Sequence, residues 1–285
     1  MRKKKLYKEY DYEEIYNKSV LGEETVEDAI QRGKKMVRKV LVKTTQSGEM
    51  LESDVYPVLL NIPEGCRKKK KRTREQQKDL NDRNARKKFV RYVNTNFTEG
   101  DLFITLPYED YYYPTFRQAK RDIRNYIAKL RRYRKRHGLG PLKYIYIISF
   151  LEEGESTKKV RMHHHIIINA MDRDVAEKLW TKSNRANSKK LKPDKYFLTA
   201  VATYLAGNSG RRRWEKSRNL KKPKENRSVS KLSRKKLNEL ARDKAIHKEV
   251  FEKMYKGKYV FLDSEIRWSD YMGSFYIYAR MRRIV

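Results

Sequence analysis

Cysteine occurs once, at Cys66, so no intramolecular disulfide can form, and no CxxC pair is present to hold a structural zinc. A secreted disulfide scaffold is thereby excluded, and a reducing compartment, the cytoplasm, is the expectation. Long hydrophobic runs are missing as well. The richest, Tyr144 to Leu151, falls far short of the about 20 residues that span a bilayer. Met1 to Tyr10 starts basic but leads into no apolar stretch, so no signal peptide is expected. No strongly basic amphipathic helix carries Trp, Phe and Leu on one face, and no membrane partner is expected. A GxxxxGK[ST] phosphate loop, an internal repeat and a long Gly/Ser or Pro-rich linker are also absent.

Acids are scarce beside cations: 36 Asp and Glu face 70 Lys and Arg, a formal charge of +34. Such a surplus repels itself unless it lies against an anion, and the polyanion it fits best is nucleic acid. Hydrophobic residues make up 38%, below the usual share of roughly 45–50%. Even so, 21 Tyr, 9 Phe and 3 Trp bring enough buried area for a packed core. The length of 285 residues suits one domain or two.

The N-terminal third reads as a charged arm with two short strands, Val37 to Thr44 and Val55 to Ile62, and turn chemistry at Ser47-Gly48 between them. Arg67, Lys68, Lys69, Lys70, Lys71 and Arg72 follow without interruption, a run that is solvated or held against phosphate. Thr73 to Asn94 has the composition of a basic helix. From Asp101 the texture changes. Leu102, Phe103, Ile104, Thr105 and Leu106 form a compact strand ended by Pro107. Pro114 then opens a helix whose stripe is Phe116, Ile123, Ile127 and Leu130, and Gly138 stops it. Between Arg117 and Arg136 that helix has ten Lys or Arg, Arg124 and Arg131 among them, and a single acid, Asp122. Its cationic back is a solvated face or a phosphate track.

Leu142 to Leu151 and Val160 to Asn169 read as a β-hairpin around a polar turn. A short helix starts at Asp172 or Asp174, with Asp174 and Glu177 at capping-box spacing. Phe197 to Ala206 forms another helix, ended by Gly207. Lys231 to Tyr255 reads as one long charged helix, and Tyr259 to Trp268 with Phe275 to Met281 as a last strand pair. The order predicts an α+β fold: a central antiparallel sheet with helices packed on one face, a basic N-terminal arm and a helical C-terminal extension. The expected divisions are residues 1–95, 96–225 and 226–285, the last packing on the core.

Three of the five histidines stand together as His163-His164-His165 inside the second hairpin strand. Strand alternation sends His163 and His165 to one side, about 7 Å apart at Cβ, and His164 to the other. Two imidazoles on one side can share a metal ion, or form a cluster that holds none. The hairpin's first strand ends at Glu152 and Glu153, either of which could supply a carboxylate, Glu152 being preferred. Two imidazoles and a carboxylate leave coordination positions open, as catalysis requires.

Phe103-Ile104-Thr105-Leu106, then Arg161-Met162-His163-His164-His165-Ile166-Ile167-Ile168-Asn169, then Ala202-Thr203-Tyr204-Leu205 resemble, in order, the three motifs of the HUH endonucleases. The likeness is closest to the rolling-circle replication initiators of plasmids, phages and integrative elements in Gram-positive bacteria. It runs on through Arg213-Trp214-Glu215-Lys216-Ser217-Arg218-Asn219-Leu220-Lys221-Lys222-Pro223 and covers more than half the chain. The resemblance implies an HUH or RRM-like palm that nicks and rejoins single-stranded DNA at an origin. His163 and His165 would hold Mg²⁺ or Mn²⁺ with an acid as third ligand. Tyr204 would be the nucleophile, with Tyr196 in reserve, forming a 5′-phosphotyrosine and freeing a 3′-OH for a polymerase. Phenols ionise near pH 10, so attack needs the ion's charge or a base. In this sequence Gly207 and Asn208 stand near the place where a Lys often follows the Tyr, which leaves Arg211, Arg212, Arg213 or Lys216 to supply a cation. A host helicase and polymerase are the implied partners, and relaxases and transposases are near neighbours in this chemistry.

Taken without the resemblance, Tyr204 shares a helical face with Phe197 and Val201, as a core tyrosine would. Trp180 and Trp214 are candidates for stacking on unpaired bases. Lys216 and Arg218, with the basic residues already named, grip phosphate without reading sequence. A second reading is a non-catalytic nucleic-acid-binding protein with an aromatic RRM-like sheet.

Overall fold

The computed structural model describes residues 39–58, 74–149, 161–207, 214–269 and 274–284. The first elements are β1 (Lys39–Ser47), β2 (Met50–Val58), α1 (Arg74–Asn96), β3 (Leu102–Leu106), α2 (Phe116–Arg136), β4 (Tyr144–Ser149), β5 (His163–Ile168) and α3 (Arg173–Lys178). After them come β6 (Asn187–Lys190), α4 (Thr199–Gly207), β7 (Glu215–Lys216), β8 (Lys224–Ser228), α5 (Arg234–Arg242), α6 (His247–Met254), β9 (Tyr259–Ser269) and β10 (Ser274–Arg283). The fold is α+β, with two open five-stranded antiparallel sheets. The chain forms two units, Met1–Leu80 with Pro223–Val285, and Asn81–Lys222.

In the first unit the strand order is β8-β1-β2-β10-β9. β1 and β2 make a tight hairpin with Ser47 opposite Met50, and Gly48 supplies the positive φ (60°) that the turn needs. The expected turn is there, but the second strand starts at Met50 rather than at Val55. Its first half, Met50 to Asp54, lacks the apolar alternation of a half-exposed strand because β1 and β10 flank it and bury even Glu52 and Asp54. Pro57, which cannot donate to a ladder, pairs with Val40 and lies beyond the last β10 partner, Val55. Leu237, Leu240 and Phe251 from α5 and α6 close the core over Val40, Val42, Val55, Ile277 and Trp268. The single helix expected over Lys231 to Tyr255 is in fact these two. Asp243 takes an extended conformation (φ −129°, ψ 108°) and its carboxylate accepts from Ala245 N at 2.7 Å, a local bond that competes with helix continuation.

In the second unit the order is β6-β3-β5-β4-β7. Leu102, Ile104 and Leu106 of β3, with Ile166 and Ile168 of β5, pack against Ala119, Ile123, Tyr126, Ile127 and Leu130 of α2. The start of α2 differs by one position from expectation. Thr115 is its N-cap in a capping box with Gln118, and Pro114 precedes the cap rather than opening the helix. Gly138, at φ 66°, ends it, with Leu139 N bonded to Arg134 O at 2.9 Å. α3 is capped by Asp172 on Val175 N, not by an Asp174–Glu177 box. Glu177 instead accepts from Ser188 N and Oγ at 2.7 and 2.6 Å, which fastens β6. That edge strand was missed in the sequence, since Asn187-Ser188-Lys189-Lys190 has little strand propensity of its own. The helix expected from Phe197 begins at Thr199, because Asp194 and Phe197 close a tight turn with Phe197 at φ 57°.

Candidate active site

β5 lies between β3 and β4, so both its faces are covered and its side chains alternate between two surroundings. His164 joins the α2 face. It is fully buried, bonds Tyr108 OH through Nε2 at 2.9 Å and packs edge-on to Trp180. Burial, reinforced by the neighbouring His163 and His165, holds its pKa down at about 3. Tyr108 in turn donates to Asp122 at 3.3 Å, and burial ahead of that carboxylate pushes its phenol well above the ordinary range.

His163 and His165 share the other face, their rings perpendicular and their Nε2 atoms 3.0 Å apart. His163 Nδ1–H donates to Arg161 O at 2.8 Å, a carbonyl that can only accept, so the lone pair of this neutral ring is on Nε2. His165 Nδ1 lies 3.2 Å from Thr105 Oγ1, its direct ladder partner. Burial, with His163 a lesser cause, lowers the His165 pKa to about 4 and keeps the ring neutral at pH 7. Two nitrogen lone pairs cannot face each other at this separation without a proton or a cation between them. Neighbouring ligands of one ion, each about 2.1 Å from it, stand at a comparable separation, so the pair fits a divalent metal. Ser149, opposite His163 on the ladder, has a buried Oγ with no hydrogen-bond partner. No group of three or more His, Cys, Asp and Glu placed to hold an ion occurs among the described residues. Glu152 and Glu153 lie outside those residues.

Tyr204 sits on α4 with its ring centroid 6.5 Å from that of His165. It is 61% exposed, so it is not the packed core tyrosine that its helical face alone suggests. Two contacts place α4: Leu198, Ala202 and Leu205 are buried, and Thr199 Oγ1 accepts from Asn94 of α1 at 2.9 Å. Tyr196 is half-buried in the turn before the helix, its backbone N–H on Asp194 at 2.7 Å and Lys195 over its ring.

The basic residues separate into groups. Arg131, Lys216 and Arg218 meet, with Arg134 and Lys135, around an open cleft of about 780 Å³ beside Tyr144. No acid lines it. Tyr144 pairs with Ile168, so this cleft lies at the far end of β5 from His163, roughly 17 Å along the strand. Arg124 is exposed on α2. Trp214 donates to Ala85 O at 3.1 Å and packs on Phe89 and Tyr92 of α1, while Trp180 is 3% exposed, leaving no face for a base. Arg67, Lys68, Lys69, Lys70, Lys71, Arg72, Arg211, Arg212 and Arg213 lie outside the described residues. Beside the histidine pair, Thr105, Tyr113, Arg161, Met162 and His163 line a second pocket of about 500 Å³. Arg161 and Tyr113 were not singled out in the sequence. Arg161 is two residues from His163 on the same strand path, and that spacing was the available signal.

Residues 101–210 match the model of a family of replication-associated proteins, the ORF2 type. The match spans β3 through α4 and so takes in the histidine pair and Tyr204, although it covers less than half the chain. No curated protein and no solved structure matches the chain. The family match supports a replication-associated protein of the Rep type, with interaction with DNA as its corollary. No helix among the described residues is long and apolar enough to cross a membrane.

Proposed function

We propose that this chain starts rolling-circle replication by nicking, and later rejoining, single-stranded DNA at an origin. The observation that carries the reading is an exposed phenol, Tyr204, 6.5 Å ring to ring from one of two imidazoles whose Nε2 atoms converge at 3.0 Å. In the reaction the Tyr204 oxygen attacks the scissile phosphorus, the P–O3′ bond breaks, and the departing 3′ oxygen takes a proton. The products are a 5′-phosphotyrosine and a free 3′-OH, and the retained phosphodiester allows rejoining without ATP. His163 and His165, with Glu152 or Glu153, hold Mg²⁺ or Mn²⁺. That ion supplies positive charge which polarises the phosphate and favours the phenolate. Arg161 O and Thr105 Oγ1 orient the two rings from behind, as partners of metal-bound imidazoles do. Tyr196 is the second candidate nucleophile, and the cationic residues at 67–72, 124, 131, 211–213, 216 and 218 hold the strand. A helicase and polymerase of the host then act on the freed end.

The test is a single strand spanning the origin, labelled at its 3′ end and incubated with Mn²⁺. The label should become bound to the protein in a denaturation-resistant form, and a 5′ label should not. Chelator, His163→Ala and Tyr204→Phe should each remove the adduct. An adduct undiminished in the Tyr204→Phe, Tyr196→Phe double variant overturns the assignment, and binding indifferent to both chelator and His163→Ala favours a non-catalytic nucleic-acid-binding protein.

A further inference from the structure

Resting on the reading that the histidine pair receives a single-stranded phosphodiester, we propose that the loop between β3 and α2 is a stacking platform for the unpaired bases beside that phosphate, with Tyr111 and Tyr113 as its surface. Large aromatic side chains rarely stand in water without a partner, and these two are 85% and 77% exposed on one short loop. The loop beneath them is pinned. Arg185 donates twice to the Asp110 carboxylate, at 3.0 and 3.1 Å, and to Tyr108 O at 3.0 Å. Arg161 bonds both the Asp110 carboxylate and its backbone carbonyl. Glu109 is tied through its N–H to Lys182 O and through its carboxylate to Asn184 N, at 3.2 and 3.0 Å. A backbone fixed this thoroughly under two exposed rings presents aromatic area that needs little further ordering when a ligand arrives.

Position links the platform to the chemistry. Tyr113 and His163 line the same pocket of about 500 Å³, ample for one nucleotide. Arg161 covers one side of the Tyr113 ring, its guanidinium 5.1 Å from the centroid, and its carbonyl is the group that fixes the His163 tautomer. The same residue therefore anchors the stacking surface and one imidazole, so a base seated on Tyr113 holds the adjoining phosphate at a set distance from the pair. The loop's charges cancel locally, Glu109 and Asp110 against Arg161 and Arg185. Its contribution to binding is accordingly stacking rather than attraction to phosphate.

That difference makes the proposal testable. Binding of a short oligothymidylate with 2-aminopurine at several positions is followed with chelator present, by anisotropy and by quenching of the aminopurine, across a salt series. Both rings are exposed, so the Tyr111→Ala, Tyr113→Ala variant folds as the parent does, which its melting curve verifies. Expected are an affinity loss of roughly 5- to 150-fold, loss of quenching, and an unchanged slope of log affinity against log salt. Tyr113→Phe and Tyr113→Trp should restore both signals. Unchanged affinity and quenching in the double alanine variant overturn the platform while leaving the nicking reading intact. A loss accompanied by a shallower salt slope also overturns it, since the rings would then have been supporting a phosphate contact. Failure of the parent chain to bind the strand overturns both readings.

Discussion

Burial separates two tyrosines of one unit by what their hydroxyls do. Tyr126 lies fully inside the core under α2 and donates to Ala176 O at 2.8 Å, whereas Tyr204 is 61% exposed beside His165. Removing the first hydroxyl strands a buried carbonyl and should lower unfolding stability by about 1–2 kcal/mol. Removing the second should change stability by less than about 0.5 kcal/mol while abolishing adduct formation. Urea melts of Tyr126→Phe and Tyr204→Phe, run beside the adduct assay, check the pair, and a large stability loss in Tyr204→Phe would make it a packing residue. In the other unit His247 is fully buried. Its Nε2–H donates to Leu240 O and its Nδ1 accepts from Ser264 Oγ, both at 2.7 Å. Burial, with a lesser push from Lys244, lowers its pKa below the ordinary histidine value of 6.5. Below pH 6.5 the unfolded chain therefore binds a proton that the native chain refuses. Stability from this residue is complete above pH 6.5 and falls by up to about 1.4 kcal/mol per pH unit as the pH drops toward the native pKa. Urea midpoints at pH 7 and 5.5 should show that fall, and His247→Gln should flatten it.

At the level of single elements, α2 is specified at both ends by chemistry that can be removed without touching the core. Thr115→Ala abolishes the capping box and should cost about 1 kcal/mol. Gly138→Ala should cost about 1 kcal/mol more, purely from the left-handed φ of 66°, because a methyl group there meets nothing within 4 Å. Denaturant midpoints should shift by these amounts in each single variant and additively in the double one, the two sites being a full helix apart. The same local signals made this helix legible in the sequence, along with β3, β4 and β5, whose Ile and Tyr runs stand between clear stop residues. Elements whose reasons lie elsewhere in the chain were harder. β6 exists because Glu177 and Arg173 hold Ser188 against β3, and nothing within its four residues announces that. The Asp243 break was written locally, in a side chain able to bond Ala245 N, but the charge pattern on either side reads as one continuous helix. Alternation was enough to separate His164 from its neighbours. It could not reveal Tyr111, Tyr113 or Arg161, whose roles depend on a loop folding back to the end of β5.

Across the whole molecule, the way each unit is assembled from the chain decides what survives truncation. Residues 81–222 form one unit from a single continuous stretch, with their own core around α2 and their own five-stranded sheet. The other unit joins residues 1–80 to 223–285, and its sheet places β1 and β2 between β8 and β10, strands nearly 200 positions apart in sequence. Local reading of the sequence finds the β1–β2 hairpin and the final strand pair but cannot pair them, since neither segment carries a mark of its partner. A chain ending at Lys222 loses three of the five strands of that sheet together with α5 and α6, and the two-stranded hairpin that remains is marginal in water. The unit bearing His163, His165 and Tyr204 loses nothing. The shortened chain should therefore unfold in one cooperative step and keep the upfield isoleucine methyl signals of Ile104, Ile123 and Ile166 in its NMR spectrum. Residues 223–285 alone should show no cooperative melt, because β8 and β10 then lack the two strands that separate them. If the fragment ending at Lys222 loses its dispersed methyl signals, the site-bearing unit depends on the rest of the chain, and the division into two units is structural description rather than folding autonomy.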